Sequence, residues 1–278
     1  MLAIAIHLII PKVPRKDLRL VERFRLCYRM LIFATSTLVF WICFELEALG
    51  KRQKRIDVIN KWVPRWAKFN VKIFGVQIEA QGKYLDDGRL YPGGEAGKVG
   101  RIFVANHRSG MDILILFNVA ETRVISRHDL ATWPLLGRAA RRVGTLFVDR
   151  KSTRSGASVL RAVDNALKRG EGVAMFPEGT AHEGDQVHEF RQGAFNAARR
   201  AGAEIIPIGL AYGDDTAYYA GQPFLRHMTR IACLQRMRVA VEVGEPLNFD
   251  KHTAVEIKDQ ARERVQELVN RARARLDA

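Results

Sequence analysis

The hydrophobic pattern of the chain changes near residue 75. From residue 76 onward, short runs rich in Val, Ile or Phe alternate with longer amphipathic stretches, and turn-forming residues bound the short runs. Six of these runs are predicted to be strands: Val76–Ala80, Ile102–Ala105, Thr145–Val148, Val173–Phe176, Ile205–Leu210 and Arg238–Val243. Apolar residues at helical spacing, between suitable start and stop residues, predict helices over 153–169, 190–201 and 253–276.

The alternation of strands and helices indicates the fold class of this part of the chain. It predicts an α/β domain over residues 76–278, in which a sheet is layered with helices. A chain of 278 residues with 47% hydrophobic residues and only 9 Pro can bury such a core. The composition excludes disordered and collagen-like proteins.

Residues 1–75 follow a different pattern. Met30–Phe44 is a run of 15 residues without a charge, with basic stretches on both sides. As a helix it would extend about 22 Å, against about 30 Å for the hydrocarbon core of a bilayer. The run therefore predicts a segment that just crosses a membrane or lies in one leaflet. The alternative is an ordinary helix buried in the protein core, because apolar runs of similar length occur there too.

The segment 56–74 also has the pattern of a membrane-associated helix. Hydrophobic residues alternate there with Lys and Arg, which predicts an interfacial amphipathic helix with a kink at Pro64. Trp62 and Trp66 are four positions apart and would share one face of that helix. We therefore expect residues 1–75 to form a basic, membrane-associated segment of two helices.

The net charge adds a class of partner. The chain has 45 Lys and Arg against 30 Asp and Glu, and +10 of its net charge of +15 lies in residues 1–75. Such a charge suits an anionic bilayer or nucleic acid. The pattern favours a bilayer and argues against nucleic acid, because the cations surround an apolar run without any nucleic-acid-binding motif. A non-catalytic basic protein that binds membranes or nucleic acid is the alternative from another class.

The cysteine and histidine spacing bears on compartment and metals. Cys27, Cys43 and Cys233 are widely spaced, which predicts neither a disulfide framework nor a structural zinc site and favours a reducing compartment. The histidines lack the paired spacing of metal ligands, so no metal site is predicted. We expect the protein on the cytoplasmic side of a membrane, such as a bacterial inner membrane.

The first candidate for chemistry follows the strand Ile102–Ala105. His107 lies just after that strand, Ser109 is placed to cap a new helix, and Asp112 would fall in its first turn. Open α/β sheets carry reactive groups at the carboxyl ends of their strands. A carboxylate on one imidazole nitrogen leaves the other nitrogen free to accept a proton, so the pair predicts a general base. The alternative is a structural histidine that closes the strand end.

Three further stretches carry polar groups near predicted strand ends. The predicted strand Val173–Phe176 is followed by Pro177 and then by the carboxylate of Glu178, Gly179 and the hydroxyl of Thr180. The predicted strand Thr145–Val148 is followed by an acid and Arg150. A second arginine, Arg191, lies at the start of the predicted helix 190–201. The residues in question are Glu178, Gly179, Thr180, Arg150 and Arg191. A helix start also attracts anions through its dipole.

The order and spacing of these motifs resemble the glycerolipid acyltransferase family, which contains 1-acylglycerol-3-phosphate acyltransferase. The stretches that carry the resemblance lie within about residues 102–210 and read N-H-x-x-x-x-D, G-T-L-F-V-D-R, F-P-E-G-T, F-R-Q-G-A-F and I-I-P-I. The occurrence of N-H-x-x-x-x-D and F-P-E-G-T together, in this order, is specific for that family. The resemblance implies a mixed, mostly parallel sheet covered by helices, like that of glycerol-3-phosphate acyltransferase, and an N-terminal two-helix membrane element.

The resemblance also implies roles for individual residues. His107, oriented by Asp112, would deprotonate the free hydroxyl of a lysolipid, which would attack the thioester of acyl-CoA or of an acyl carrier protein, with no cofactor. Glu178 and Gly179 would help to hold the glycerol part of the acceptor. The matching positions for its phosphate are Arg150 and Arg191, although an arginine can equally be a solvated surface cation. Thr180 either contacts the substrate or caps the turn.

One departure from the family pattern concerns the acceptor. Arg-Ser commonly follows the threonine of the third motif, whereas this chain continues with Ala181, His182 and Glu183. A cation beside the expected phosphate position is therefore lost. The favoured acceptor is still 1-acylglycerol-3-phosphate, which would give phosphatidic acid, and the alternative is another lysolipid such as lyso-ornithine lipid.

Overall fold

A computed structural model of the chain describes residues 19–49, 55–85, 88–95, 99–149, 152–219, 221–250 and 252–278. The first 18 residues, the basic stretch 51–54 and Arg150 lie outside the described residues. Arg150 was one of the predicted contacts of the acceptor phosphate.

Two helices form the N-terminal part of the described structure, α1 (Leu20–Ala48) and α2 (Arg55–Ile73). The face of α2 that carries both tryptophans packs against α1. Trp62 lies with its ring centroid 5.9 Å from that of Phe40, and Trp66 lies 5.9 Å from Phe33. Pro64 lies inside α2, as the sequence predicted. The shared face of the tryptophans is thus a contact between the two helices.

Helix α1 is longer than the uncharged run within it. Its 29 residues correspond to about 44 Å at about 1.5 Å per residue, and α1 is long and apolar enough to cross a membrane. Only 22% of its most apolar window is buried inside the protein. The large apolar side chains that α1 and the residue after it expose are Leu20, Val21, Phe24, Leu31, Leu38, Val39, Ile42, Leu46 and Leu49.

The rest of the chain is an α/β domain. Its strands are β1 (Val76–Gln81), β2 (Arg101–Ala105), β3 (Arg123–Arg127), β4 (Leu146–Val148), β5 (Val173–Met175), β6 (Glu204–Tyr212) and β7 (Met237–Val243). The helices are α3 (Asp112–Val119), α4 (Leu136–Arg142), α5 (Thr153–Lys168), α6 (Gly193–Ala201), α7 (Phe224–Cys233) and α8 (Ala254–Asp277). Short 3₁₀ turns occupy His128–Thr132 and Asp215–Ala217.

The strands form one seven-stranded sheet in the order β1-β7-β6-β2-β5-β3-β4. Every neighbouring pair is parallel except β6 and β7, which are antiparallel. The predicted mixed, mostly parallel sheet is confirmed. Helices cover both faces, since Phe103 of β2 packs in one apolar cluster with α1 to α3, and its neighbours Ile102 and Val104 pack in another with α5, α6 and α8.

Apart from the longer α1, the predicted helices and strands agree with the structure within a few residues, and three helices or strands of the structure were not predicted. These are β3, α4 and α7, and all three contribute to the cavities described below. Two local expectations were also wrong. The N-cap of α3 is Met111, and Ser109 instead accepts a hydrogen bond from the Met111 amide. Helix α6 begins at Gly193, so Arg191 precedes it.

Candidate active site

Three adjacent strands bring the predicted motifs to one edge of the sheet. Strand β2 lies between β5 and β6 and runs parallel to both. Parallel strands end at the same edge, which is where open α/β sheets bind ligands. His107 follows the end of β2, Glu178 follows the end of β5, and Tyr212 is the last residue of β6. These side chains surround one site.

Asn106 fixes the backbone at the end of β2. Its side-chain amide donates to the carbonyl of Leu210 at 2.9 Å, and its side-chain oxygen accepts from the amide of Leu210 at 2.8 Å. Asn106 is fully buried, so this double contact replaces the missing ladder pairs at the strand end. The residue that follows it, His107, is thereby held against β6.

His107 and Asp112 form the predicted pair. Nδ1 of His107 lies 2.7 Å from Oδ2 of Asp112, and the carboxylate is fully buried while 14% of the imidazole is exposed. Because an ionised carboxylate only accepts hydrogen bonds, we assign the proton to Nδ1 and the free lone pair to Nε2. The same Oδ2 accepts the amides of Arg108 at 2.7 Å and Ser109 at 2.9 Å. The geometry suits a general base whose Nε2 accepts a proton.

Two aromatic residues complete the setting of this pair. Tyr212 donates its hydroxyl hydrogen to Oδ1 of Asp112. Burial and the neighbouring Asp112 charge raise the pKa of Tyr212 well above its usual range, so the phenol remains a donor. The ring of Phe176 stacks on the imidazole of His107, with centroids 4.1 Å apart and planes 13° apart. These contacts fix the carboxylate and the plane of the imidazole.

Glu178 joins the two motifs through an ion pair with Arg108. The closest N–O distance is 2.9 Å, and neither side chain is exposed. The carboxylate also accepts the backbone amides of His107 at 2.8 Å and His188 at 2.9 Å. In the structure, Glu178 therefore holds the loop after β5 against the loop after β2. Its predicted contact with an acceptor stays a prediction.

Gly179 has a backbone conformation and surroundings that favour glycine. Its φ is +80°, and a Cβ at this position would lie 2.4 Å from Nε of Arg191. The guanidinium of Arg191 thus lies directly against Gly179. Arg191 is exposed, and no carboxylate among the described residues forms an ion pair with it. Thr180 is also exposed and lies at the mouth of the site.

The loop after Thr180 places two further histidines beside the site. The rings of His182 and His188 stack with centroids 3.7 Å apart, and the amide of His182 donates to the carbonyl of His107 at 2.9 Å. Burial, and secondly the neighbouring His188, lower the pKa of His182, so we expect a neutral His182 at pH 7. Helix α8 holds this loop, since Arg273 pairs with Asp185 at 2.6 Å.

Two adjoining cavities lie beside the site, and His107 lines the smaller one. The smaller holds about 600 Å³ of empty space, including its mouth, and is lined by His107, Phe176, Thr180 and Ala181 among others. The larger holds about 1300 Å³ and lies between α1, α2, α3, α4 and α7, with a lining that is almost entirely apolar. Five residues line both cavities: Gly110, Ile113, Ser126, Leu130 and Phe224. A long apolar group could therefore extend from His107 into the larger cavity.

The described residues contain no cluster of three or more His, Cys, Asp or Glu side chains that could hold a metal ion. The site as described consists of a hydrogen-bonded imidazole, buried acids, an exposed guanidinium and an apolar cavity.

Comparison with known proteins gives the family. A sequence profile described as Acyltransferase matches residues 88–211. A lyso-ornithine lipid O-acyltransferase of Pseudomonas aeruginosa is 32% identical over 178 residues, which cover 62% of this chain and 69% of that protein. The chain belongs to the glycerolipid acyltransferase family.

Other members of the acyltransferase family differ in their named acceptor and in the extent of the match. A 1-acyl-sn-glycerol-3-phosphate acyltransferase of Neisseria gonorrhoeae is 32% identical over 138 residues, or 50% of this chain and 54% of that protein. The match thus spans about half the length of that relative. A lyso-ornithine lipid O-acyltransferase of Rhizobium meliloti is 25% identical over 252 residues, or 83% of this chain and 80% of that protein.

A solved structure of the acyltransferase family has the same fold. The 1-acyl-sn-glycerophosphate (LPA) acyltransferase from Thermotoga maritima superposes with a TM-score of 0.67 at 21% identity, and the match covers 91% of this chain and 98% of that one. At this level of identity the comparison supports the fold alone.

Several residues of the site in this acyltransferase-family chain were not predicted from the sequence. Arg108 occupies a variable position of the first motif, Tyr212 lies two residues beyond the predicted end of its strand, and His227 lies on the unpredicted helix α7. Only Arg108 had a local signal, because a charged side chain between His107 and a buried helix start requires a partner. The other two reach the site only through the tertiary fold.

Proposed function

We propose that this protein transfers a fatty acyl group from a thioester to the free hydroxyl of a lysolipid. The observation that carries the proposal is the partly exposed imidazole of His107, held through Nδ1 by Asp112 at 2.7 Å, which lines the smaller cavity where that cavity adjoins the large apolar one. A base at the end of an apolar cavity suits a substrate with a reactive polar end and a long hydrocarbon chain.

The proposed reaction is a direct transfer. Nε2 of His107 takes the proton of the acceptor hydroxyl while the hydroxyl oxygen bonds to the thioester carbonyl carbon. The tetrahedral intermediate then collapses, the C–S bond breaks, and the imidazolium returns its proton to the departing thiolate. Asp112 stabilises the imidazolium and keeps the ring oriented throughout. The acyl group passes directly to the acceptor, and we expect no covalent acyl-enzyme and no cofactor.

The acyl donor in this proposal is acyl-CoA or an acyl carrier protein, and its chain would occupy the larger cavity. Side chains from five helices line that cavity, among them Phe33, Phe117 and Met228. Burial of a hydrocarbon chain contributes about 0.8 kcal/mol for each CH₂ group removed from water. The length of the cavity would then set the preferred acyl chain.

Lysophosphatidate, that is 1-acylglycerol-3-phosphate, is the first candidate acceptor. Arg191 supports it, because its guanidinium lies against Gly179 without a carboxylate partner among the described residues. A guanidinium suits phosphate oxygens. Arg150 is proposed as a second contact on the motif resemblance alone. Thr180 lies at the pocket mouth, where its hydroxyl could contact the glycerol part.

Lyso-ornithine lipid is the second candidate. Relatives that act on it by name match this chain over most of its length, and the loop beside the pocket supports it locally. The loop carries a histidine pair together with Glu183 and Glu189, which suit an amino-acid headgroup better than a phosphate monoester. Lysophosphatidate requires positive charge around Arg191 to bind its phosphate. An amino-acid headgroup is instead matched by the acids and the histidine pair of the neighbouring loop.

Membrane association is part of the proposal. Helix α1 exposes a row of large apolar side chains, and the basic residues of the N-terminal part would contact anionic headgroups. The cytoplasmic side is proposed because Cys27, Cys43 and Cys233 are free thiols, which suits a reducing compartment.

An acylation assay tests the proposed function. Membranes that contain the full chain are incubated with labelled acyl-CoA or acyl carrier protein thioester and with a panel of lysolipids. We expect a labelled diacyl product, and the preferred lysolipid decides between the two acceptors. Transfer to none of the lysolipids from either donor would contradict the proposal.

A further inference from the structure

The turn between β2 and α3 has five consecutive backbone amides without helical partners. A helix start leaves such N–H groups to be satisfied by other groups. Four of them are accounted for within the motifs: His107 by Glu178, Arg108 and Ser109 by Asp112, and Met111 by Oγ of Ser109. The fifth is the amide of Gly110.

The amide of Gly110 donates to Nε2 of His227, at 2.9 Å. His227 lies on α7, more than a hundred residues away in sequence and outside every motif. The same Nε2 lies 3.2 Å from Oγ of Ser109. Because Nε2 of His227 accepts a hydrogen bond from the Gly110 amide, this nitrogen carries no proton. The hydroxyl of Ser109 therefore donates to Nε2, and its oxygen accepts from the amide of Met111. His227 is fully buried.

The turn packs closely against α7 at Gly110. A Cβ at this position would lie 2.9 Å from Sδ of Met228 and 2.9 Å from Cε2 of Phe224, both on α7. The turn therefore lies directly against the helix that carries His227. A shift of α7 would move the turn with it.

Helix α7 is itself fixed at its carboxyl end by α1. Arg29 donates to the carbonyls of Ala232 at 3.2 Å and Leu234 at 2.5 Å, and Arg25 donates to that of Cys233 at 2.6 Å. Cations at the last carbonyls of a helix satisfy unpaired acceptors and complement the helix dipole. His227 is thus held on a helix with a defined position.

We propose that His227 is a positioning residue for the acyl transfer. Its Nε2 holds the Ser109–Gly110 turn, and this turn determines where the Asp112 carboxylate meets the imidazole of His107. This inference rests on the proposed function. His227 lines neither cavity and therefore acts through the turn, without touching a substrate.

Two variants separate this role from a packing role. His227→Leu removes the hydrogen-bond acceptor of the Gly110 amide and keeps a similar side-chain volume. In His227→Gln, the side-chain oxygen can accept from the Gly110 amide in place of Nε2. In His227→Leu we expect kcat to fall about tenfold or more, because a small displacement of a catalytic pair is costly, while KM for donor and acceptor changes less than about twofold. His227→Gln should recover most of the lost kcat.

Hydrogen exchange of the backbone amides 108–111 gives a readout that does not depend on activity. We expect faster exchange in His227→Leu and near-normal exchange in His227→Gln. Ser109→Ala, which removes only one hydroxyl, serves as a milder variant if His227→Leu does not fold, and it should raise exchange at Met111. His252→Leu is the matched control, because His252 is exposed at the start of α8 and should change neither readout.

The outcomes are distinguishable. Wild-type kcat and unchanged exchange in folded His227→Leu would overturn the positioning role. Equal loss of kcat in both His227 variants would also overturn it, because a hydrogen-bond acceptor for the Gly110 amide would then make no difference to the rate. If the wild-type protein transfers no acyl group, the proposed function fails instead, and the exchange data still report whether His227 holds the turn.

Discussion

The guanidinium of Arg108 and the carboxylate of Glu178 lie 2.9 Å apart with neither side chain exposed to solvent. One belongs to the loop after β2 and the other to the loop after β5, so this pair fastens the two halves of the site together. The Glu178 carboxylate also accepts the amide of His107. The position of His107 therefore depends on an ion pair that contacts no solvent.

Removal of the Glu178 charge tests the ion pair. Glu178→Gln leaves Arg108 as a buried cation without a counter-charge, and we expect the free energy of unfolding to fall by about 3 to 5 kcal/mol. Urea unfolding of the detergent-solubilised protein measures the change. Glu183→Gln is the control, since Glu183 is exposed in the next loop and its loss should change stability by less than about 0.5 kcal/mol. Equal stability of both variants would contradict a structural role for Glu178.

A pH dependence of stability follows from His227. Burial lowers the pKa of His227 to about 4 from an ordinary value of 6.5. Above pH 6.5 neither the folded nor the unfolded form binds this proton, and between 6.5 and 4 the unfolded form binds it first. Acidification from about pH 7.5 to about pH 4.5 should therefore lower the free energy of unfolding by about 2 to 3 kcal/mol through this group.

Urea unfolding of wild type and His227→Gln at both pH values isolates this contribution, because the other titrating groups are common to the two proteins. We expect the loss of stability on acidification to be smaller in the variant by about 2 to 3 kcal/mol. Identical losses in the two proteins would show that His227 is not buried in a neutral form.

The large cavity predicts a change in acyl-chain preference. Ala140 of α4 lines the cavity, and Ala140→Phe would fill part of it. We expect transfer of the longest acyl chains to fall by about tenfold or more relative to short chains, because each CH₂ group excluded from the cavity loses about 0.8 kcal/mol of burial. A competition assay with acyl donors of different length measures this ratio. Ala157→Phe, at an exposed position on α5, should leave it unchanged.

The exposed face of α1 predicts a dependence on the membrane. Leu38 and Ile42 are 45% and 50% exposed, and Leu38→Lys with Ile42→Lys would place two charges on that face. Each charge costs about 3 kcal/mol at the centre of a bilayer, so we expect the variant to leave the membrane fraction on alkaline carbonate extraction. Val255→Lys, at a 53% exposed position on α8, is the control and should remain bound. Retention of the double variant would show that α1 faces no lipid.

Much of the fold could be predicted because its strands have strong local patterns. The runs at Ile102–Ala105 and Ile205–Leu210 are uniformly apolar, as expected for parallel strands buried on both faces. Strand β3 was missed because its five residues begin and end with arginine, and its strand conformation depends on pairing with β4 and β5. Pairing of that kind is not visible in a local pattern.

The contacts of the site that are local in sequence could be predicted, and those made through the tertiary fold could not. His107 and Asp112 are five residues apart, so their contact could be inferred from a strand end and a helix start. Tyr212 contacts Asp112 from 100 residues away, and His227 contacts Ser109 and Gly110 from 118 and 117 residues away. Nothing in the sequence near Tyr212 or His227 indicates that contact, because it exists only once β6 and α7 are packed beside β2.

The central claim is that His107 acts as the base in acyl transfer to a lysolipid, and His107→Ala tests it most directly. Transfer of labelled acyl groups is measured in membranes that contain equal amounts of wild type, His107→Ala and His252→Ala, with folding checked by thermal unfolding. General base catalysis contributes about 10²- to 10⁴-fold, so we predict at least a hundredfold loss in His107→Ala and normal turnover in His252→Ala. Near-wild-type turnover by folded His107→Ala would contradict the account.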